Sequence, residues 1–105
     1  MALGRIAVHD IAVAATDETL FDFTEASSVD VTVCNRNATS VTIRLAVIDG
    51  AIGALASEDY VYYDFTVNAN DSQPLMSHEA ISANELIMVR ASNTGVSFRL
   101  SGRGA

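Results

Sequence analysis

Apolar and polar residues alternate along most of this chain with a period of two, which is the spacing of a half-buried strand. The clearest stretch is "VTVCNRNATSVTIRLAV", residues 31–47, where alternation runs, breaks at an Asn-rich segment and then resumes. Similar short runs occur at "GRIAVH", "TLFDF", "VDVTVCN", "SVTIRLAVI", "YVYYDFTV", "ELIMVRA" and "VSFRLSG", separated by turn-rich segments. No twelve-residue window carries a helical period, and one helical turn within "AIGALASED" competes with a plain loop. The pattern predicts an all-β chain: a single antiparallel β-sandwich, immunoglobulin-like or jelly-roll, of about seven to eight strands.

Two hairpins follow if neighbouring runs pair. Centring the first on Asn37 sets Val33 against Val41, Val31 against Ile43 and Val29 against Leu45, with Thr32 facing Thr42 and Asp30 facing Arg44 on the other side. The second joins "ELIMVRA" to "VSFRLSG" through "SNTG", keeping Ile87, Val89 and Ala91 on the same face as Val96, Phe98 and Leu100. Its preferred register sets Arg90 opposite Ser97, because the alternative brings Arg90 against Arg99 and like charges repel. In "YVYYDFTV" strict alternation gives Tyr60 and Tyr62 one face, and Val61, Tyr63, Phe65 and Val67 the other. The apolar side then belongs in the core. The tyrosines stand at a rim, where they offer area and a hydroxyl at low entropy cost.

The absence of repeats and linker-like segments gives one domain over residues 1–105, with residues 1–10 as a candidate extended docking arm. "IAVHDIAVAA" is interrupted by His9 and Asp10, which argues against a secretion signal and for synthesis in a cytosol-like compartment. No apolar run reaches the ~20 residues of a spanning helix. Half of the residues are apolar, a high share for so small a body, which fits an oligomer or a docked partner covering the surplus, with a well-covered monomer as the alternative.

Charge narrows the partners. Thirteen carboxylates oppose six basic residues, all arginine, for a net charge of −7, so nucleic acid and membrane surfaces are disfavoured. Arginine suits planar hydrogen-bonded pairs better than lysine. Arg44, Arg90 and Arg99 fall on outward faces and are expected to pair with the acidic excess.

Candidate chemistry is sparse. Cys34 is the single cysteine, excluding an internal disulfide, and reads as a small hydrophobe. His9-Asp10 and His78-Glu79 place neighbours on opposite faces of a strand, a poor arrangement for a shared metal. Asp49, Glu58 and Asp59 lack EF-hand spacing. There is no phosphate-binding glycine loop, nucleophile elbow or Cys-x-x-Cys pair. The expectation is a non-enzymatic protein without cofactor or metal.

The segments "LGR" (3–5), "VTVCNR" (31–36), "VTIRLA" (41–46), "YVYYD" (60–64), "VRAS" (89–92) and "SFRLSG" (97–102) together resemble a group of small virion proteins of tailed bacteriophages. Those proteins pair a Gly-Arg start with V-x-V-C-N-R, V-T-V/I-R-L-A and Y-x-x-Y-D strands and a closing hairpin that ends in glycine. They often carry a P-A-G-K turn where this chain reads "TEASS". The resemblance implies a structural subunit, located in the virion after synthesis in the bacterial host. It would be a capsid decoration or cement protein, or alternatively a tail- or fibre-associated component, contacting major capsid or tail proteins and forming a homo-oligomer. Candidate contact residues are Arg5, Arg36, Asn37, Tyr60 and Tyr62. A further alternative is a carbohydrate-binding module stacking Tyr60 and Tyr62 on sugar rings.

Overall fold

The computed structural model describes residues 3–104, and side chains over residues 6–102. It contains eight strands: β1 (Leu3–Asp10), β2 (Glu18–Asp22), β3 (Ser27–Asn35), β4 (Val41–Asp49), β5 (Tyr60–Val67), β6 (Ser72–Ile81), β7 (Glu85–Ala91) and β8 (Val96–Gly104). They form two four-stranded antiparallel sheets, ordered β1-β8-β3-β6 and β2-β7-β4-β5. Successive strands therefore change sheet at every connection but one, β4 to β5. Eight strands in this interleaved order make a jelly roll, the second of the two sandwich types that the pattern allowed.

That order corrects both expected hairpins. β3 pairs with β8 and β6, setting Val31 beside Leu100 and Val33 beside Phe98. β4 pairs with β7 and β5, setting Leu45 beside Val89. The expected partners, Val31 with Ile43 and Val29 with Leu45, lie on opposing layers. The face assignments hold: Val29, Val31, Val33, Ile43, Leu45, Ile87, Val89, Phe98 and Leu100 are all buried in the main core. Alternation states which side chains point inward. It does not state whether the next strand lies beside its predecessor or across the core from it.

The connection long for a hairpin, 50–59, is the one that joins sheet neighbours. It carries two short 3₁₀ turns and folds over the outside of the second sheet. There Ile52, Leu55 and Tyr60 pack on Ala46, Ile48, Leu86 and Met88. The second sheet is thus apolar on both faces where these residues pack, which absorbs part of the apolar surplus without a partner.

Three further differences come from local backbone geometry. The first is β6, whose sequence "SQPLMSHEAI" shows weak alternation because it is an edge strand with register irregularities and contains Pro74, which an edge tolerates. The second is β5, where register shifts fall between Ile43 and Leu45 and between Leu45 and Ala46 of its partner, with Asp64 at φ 51°. These bulges send Tyr60 to the outer cluster and Tyr62, Phe65 and Val67 to the main core, while Val61 and Tyr63 are 51% and 60% exposed. Tyr60 and Tyr62 therefore do not share a face, and Val61 and Tyr63 do not enter the core. The third is the segment read as a docking arm. From Leu3 to Asp10 it is strand β1, hydrogen-bonded to β8.

Gly102 sits where β8 passes close to β3. It has φ +147°, and a Cβ there would run into the Ser28 carbonyl oxygen and lie 2.9 Å from Val29 Cα on β3. Both neighbours are backbone and cannot swing aside. Gly102→Ala is expected to cost more than about 2 kcal/mol, combining backbone strain with the clash. Urea unfolding of the two proteins measures the difference.

Candidate functional site

The sequence-selected residues do not converge on one site. The side chain of Arg5 lies outside the described residues. Arg36, at the end of β3, reaches β1 through an ion pair with Asp10 at 2.5 Å, and its Nε donates to the Gly95 carbonyl at 3.4 Å. Asn37 follows it in the β3–β4 connection. Its Nδ2 donates to Thr94 O at 2.8 Å and to Asn35 Oδ1 at 3.0 Å, and its carbonyl accepts the Asn70 N–H. Both residues hold neighbouring loops together. Tyr60 and Tyr62 are half-buried, and the Tyr62 hydroxyl crosses the sandwich to donate to Leu75 O of β6 at 2.7 Å.

The residue that organises this end of the molecule is Asn35, which sequence reading passed over. It is 1% exposed. Its Nδ2 lies within 3.0–3.3 Å of the carbonyls of Thr39, Val67 and Asn68, and its Oδ1 accepts from Asn37 N and Nδ2, both at 3.0 Å. One amide thus serves the corner after β3 and the end of β5, with Asn37 extending the network to the β7–β8 loop. A signal was present: Val29, Val31 and Val33 face inward, and the next position in that series is an asparagine. A polar residue in a buried register must have partners.

At the same end of the strands, on the β1/β2 edge, His9 and Glu18 join the edges of the two sheets. His9 Nε2 donates to Glu18 Oε1 at 2.6 Å, and the Glu18 carboxylate also accepts the N–H groups of Ala12 at 3.1 Å and Val13 at 2.9 Å. Burial pushes this carboxyl up, but the Val13 N–H, the His9 ring and the Ala12 N–H together hold it below the usual carboxylate range. The His9-Asp10 pair is divided as expected: His9 turns to Glu18 and Asp10 to Arg36.

Two further ion pairs lie on the outer face of the second sheet. Arg44 pairs with Asp64, Nε to Oδ1 at 2.7 Å and an Nη to Oδ2 at 3.3 Å, and its guanidinium sits 4.1 Å from the Tyr63 ring centre. The expected Asp30–Arg44 pair does not form, since Asp30 is on the other sheet and accepts the His78 N–H. The Arg44 hydrogen bond holds Asp64 below its ordinary value, and Asp64 in turn raises Arg44. Arg90 reaches Asp17 at 3.3 Å. The expectation that these arginines meet the acidic excess holds for Arg44 and Arg90. Cys34 is half-buried and unbridged. Among the described residues no group of three or more His, Cys, Asp or Glu side chains could hold a metal ion, and no helix is long and apolar enough to cross a membrane.

Comparison with known proteins finds no matching family model, curated protein or solved structure, so the likeness to small phage virion proteins rests on the sequence segments alone.

Two outcomes follow from this geometry. Asn35→Ala removes the side-chain partner of the buried Val67 carbonyl and of the Asn37 N–H and is expected to destabilise the protein by about 1–3 kcal/mol in urea unfolding. Glu18→Gln keeps the side chain's shape and removes its charge, with an expected loss of about 1–2 kcal/mol at pH 7. Because the folded-state pKa of Glu18 is depressed, its contribution is complete above the unfolded value near ~4.3 and disappears as pH falls through the folded value. The gap between wild type and Glu18→Gln should close in melts recorded in strong acid. A constant gap would show that the charge is not the source.

Proposed function

We propose that this chain is a non-enzymatic structural subunit of a virion, packing against neighbouring virion proteins, with a capsid surface position favoured over a tail position. The observation that carries the reading is where large apolar side chains stand exposed. Val8 of β1 and Val13 of the β1–β2 connection are 55% and 56% exposed on one lateral edge of the sandwich. Val61 and Tyr63 are exposed on β5, the far edge of the second sheet. Two apolar patches on opposite edges let one subunit touch two neighbours, as a shell or lattice requires. The polar side chains at the corners are engaged within the chain, which keeps those edges in fixed relation.

Fold analogy adds weight and no more. Eight-stranded jelly rolls recur among viral capsid subunits, but also among lectins and cupins, and a fold alone assigns no function. The sequence segments shared with small phage virion proteins favour the first of these. The sugar-binding alternative loses its stated basis, because Tyr60 and Tyr62 are half-buried on opposite faces and present no common stacking surface.

The test is mass spectrometry of gradient-purified particles released from cells that carry the gene. The proposal expects this chain in many copies per particle. Recovery in the soluble cell fraction alone, while particles form normally, would contradict it. Val61→Asp is expected to change stability by less than about 0.5 kcal/mol, because the side chain is exposed. The same substitution should deplete the protein from particles. Undiminished incorporation would remove the β5 edge from the contact.

A further inference from the structure

Across the outer face of the second sheet, from the start of β2 through β7 and β4 to β5, the charged side chains read Asp17, Arg90, Arg44, Asp64. The two central members are direct cross-strand partners. Like charges in that position repel, and a sheet ordinarily avoids them. Here each guanidinium is drawn outward to its own carboxylate, Arg44 to Asp64 and Arg90 to Asp17. The bulge at Asp64, with φ 51°, places that carboxylate within reach of Arg44. Beside the arginines an open cleft of about 170 Å³ remains, lined also by the Asp64 carboxylate and by Ala15, Thr42, Ala91 and Ser92.

The cleft is rich in donors. Arg90 makes one long contact, 3.3 Å, leaving most of its N–H groups for other acceptors. Ser92 Oγ accepts the Thr42 N–H at 3.0 Å, and its own proton can be donated outward. Ligand pockets for drug-sized molecules are about 300–1,000 Å³, so this one suits a single small group. Asp17 and Asp64 already balance the two arginines, and the whole chain carries −7. A monoanion is therefore better accommodated than a dianion. The planar fork of Arg90 matches the two oxygens of a carboxylate.

We propose that the cleft beside Arg44 and Arg90 is a recognition site for one carboxylate group. The group is either a small free acid or an acidic side chain presented by a neighbouring protein. The site does not depend on the virion reading, and its failure would leave that reading untouched.

Titration followed by ¹⁵N NMR tests it, with acetate, N-acetyl-aspartyl methylamide and inorganic phosphate as probes at constant ionic strength. Saturable shifts at the Arg90 Nε and Ser92 amide resonances are expected with acetate or the blocked aspartate, and weaker binding with phosphate. Tighter binding of the blocked aspartate assigns the site to a protein side chain, and tighter binding of acetate assigns it to a free acid. Arg90→Gln should weaken binding by about tenfold or more. Arg90→Lys, which keeps the charge but loses the fork, should weaken it several-fold. Shifts that grow linearly without saturation, equal binding in both variants, or preference for phosphate would overturn the proposal.

Discussion

A chain that changes sheets at nearly every connection must turn its backbone through a corner each time, and the polar groups bared there need partners. In this protein the corner after β3 is satisfied by a single buried amide. Asn35 bonds Thr39, Val67 and Asn68 through its nitrogen and Asn37 through its oxygen. The end of β5 in one sheet is thereby tied to the end of β3 in the other. Asn37 extends the tie to the β7–β8 connection through Thr94. With that end closed, the apolar faces of β3 and β8 are held against those of β4 and β7, and burial does the rest.

At the same end, on the edge formed by β1 and β2, the His9–Glu18 contact joins the first strands of the two sheets. The two closures differ in kind. The Asn35 network is neutral and independent of pH, whereas Glu18 contributes through a carboxylate and weakens in acid. The surface is divided as well. Part of the second sheet's outer face is roofed by Ile52 and Leu55 of the β4–β5 connection, and the Asp–Arg–Arg–Asp ladder crosses it elsewhere. Exposed apolar side chains are left to the lateral edges, at Val8, Val13, Val61 and Tyr63. That distribution is why neighbour contact, and not a deep ligand pocket, is the functional reading put forward.

Much of this was legible in the sequence at the level of single strands. Seven of the eight strands follow from period-two alternation, and so do the inward faces of β3, β4, β7 and β8, as Val29, Val31 and Val33 illustrate. Strand partners were not legible, because alternation is identical whether Ile43 lies beside Val31 or across the core from it. A like-charge argument was misleading for the same reason: Arg90 was kept away from Arg99, yet it lies beside Arg44, with Asp17 and Asp64 supplying the balance. The faces of β5 were lost to bulges, which insert residues without a strong sequence mark. Asn35 was readable in principle, as an amide that follows Val29, Val31 and Val33 in a buried series.

The central claim is the interleaved strand order, since the corner network, the ladder and the exposed edges all depend on it. Backbone nuclear Overhauser effects between strands test it most directly. The structure predicts contacts between Val33 and Phe98 and between Leu45 and Val89, with none between the backbones of Val31 and Ile43. A continuous series linking Val33 to Val41, Val31 to Ile43 and Val29 to Leu45 would instead establish a local hairpin and contradict the account.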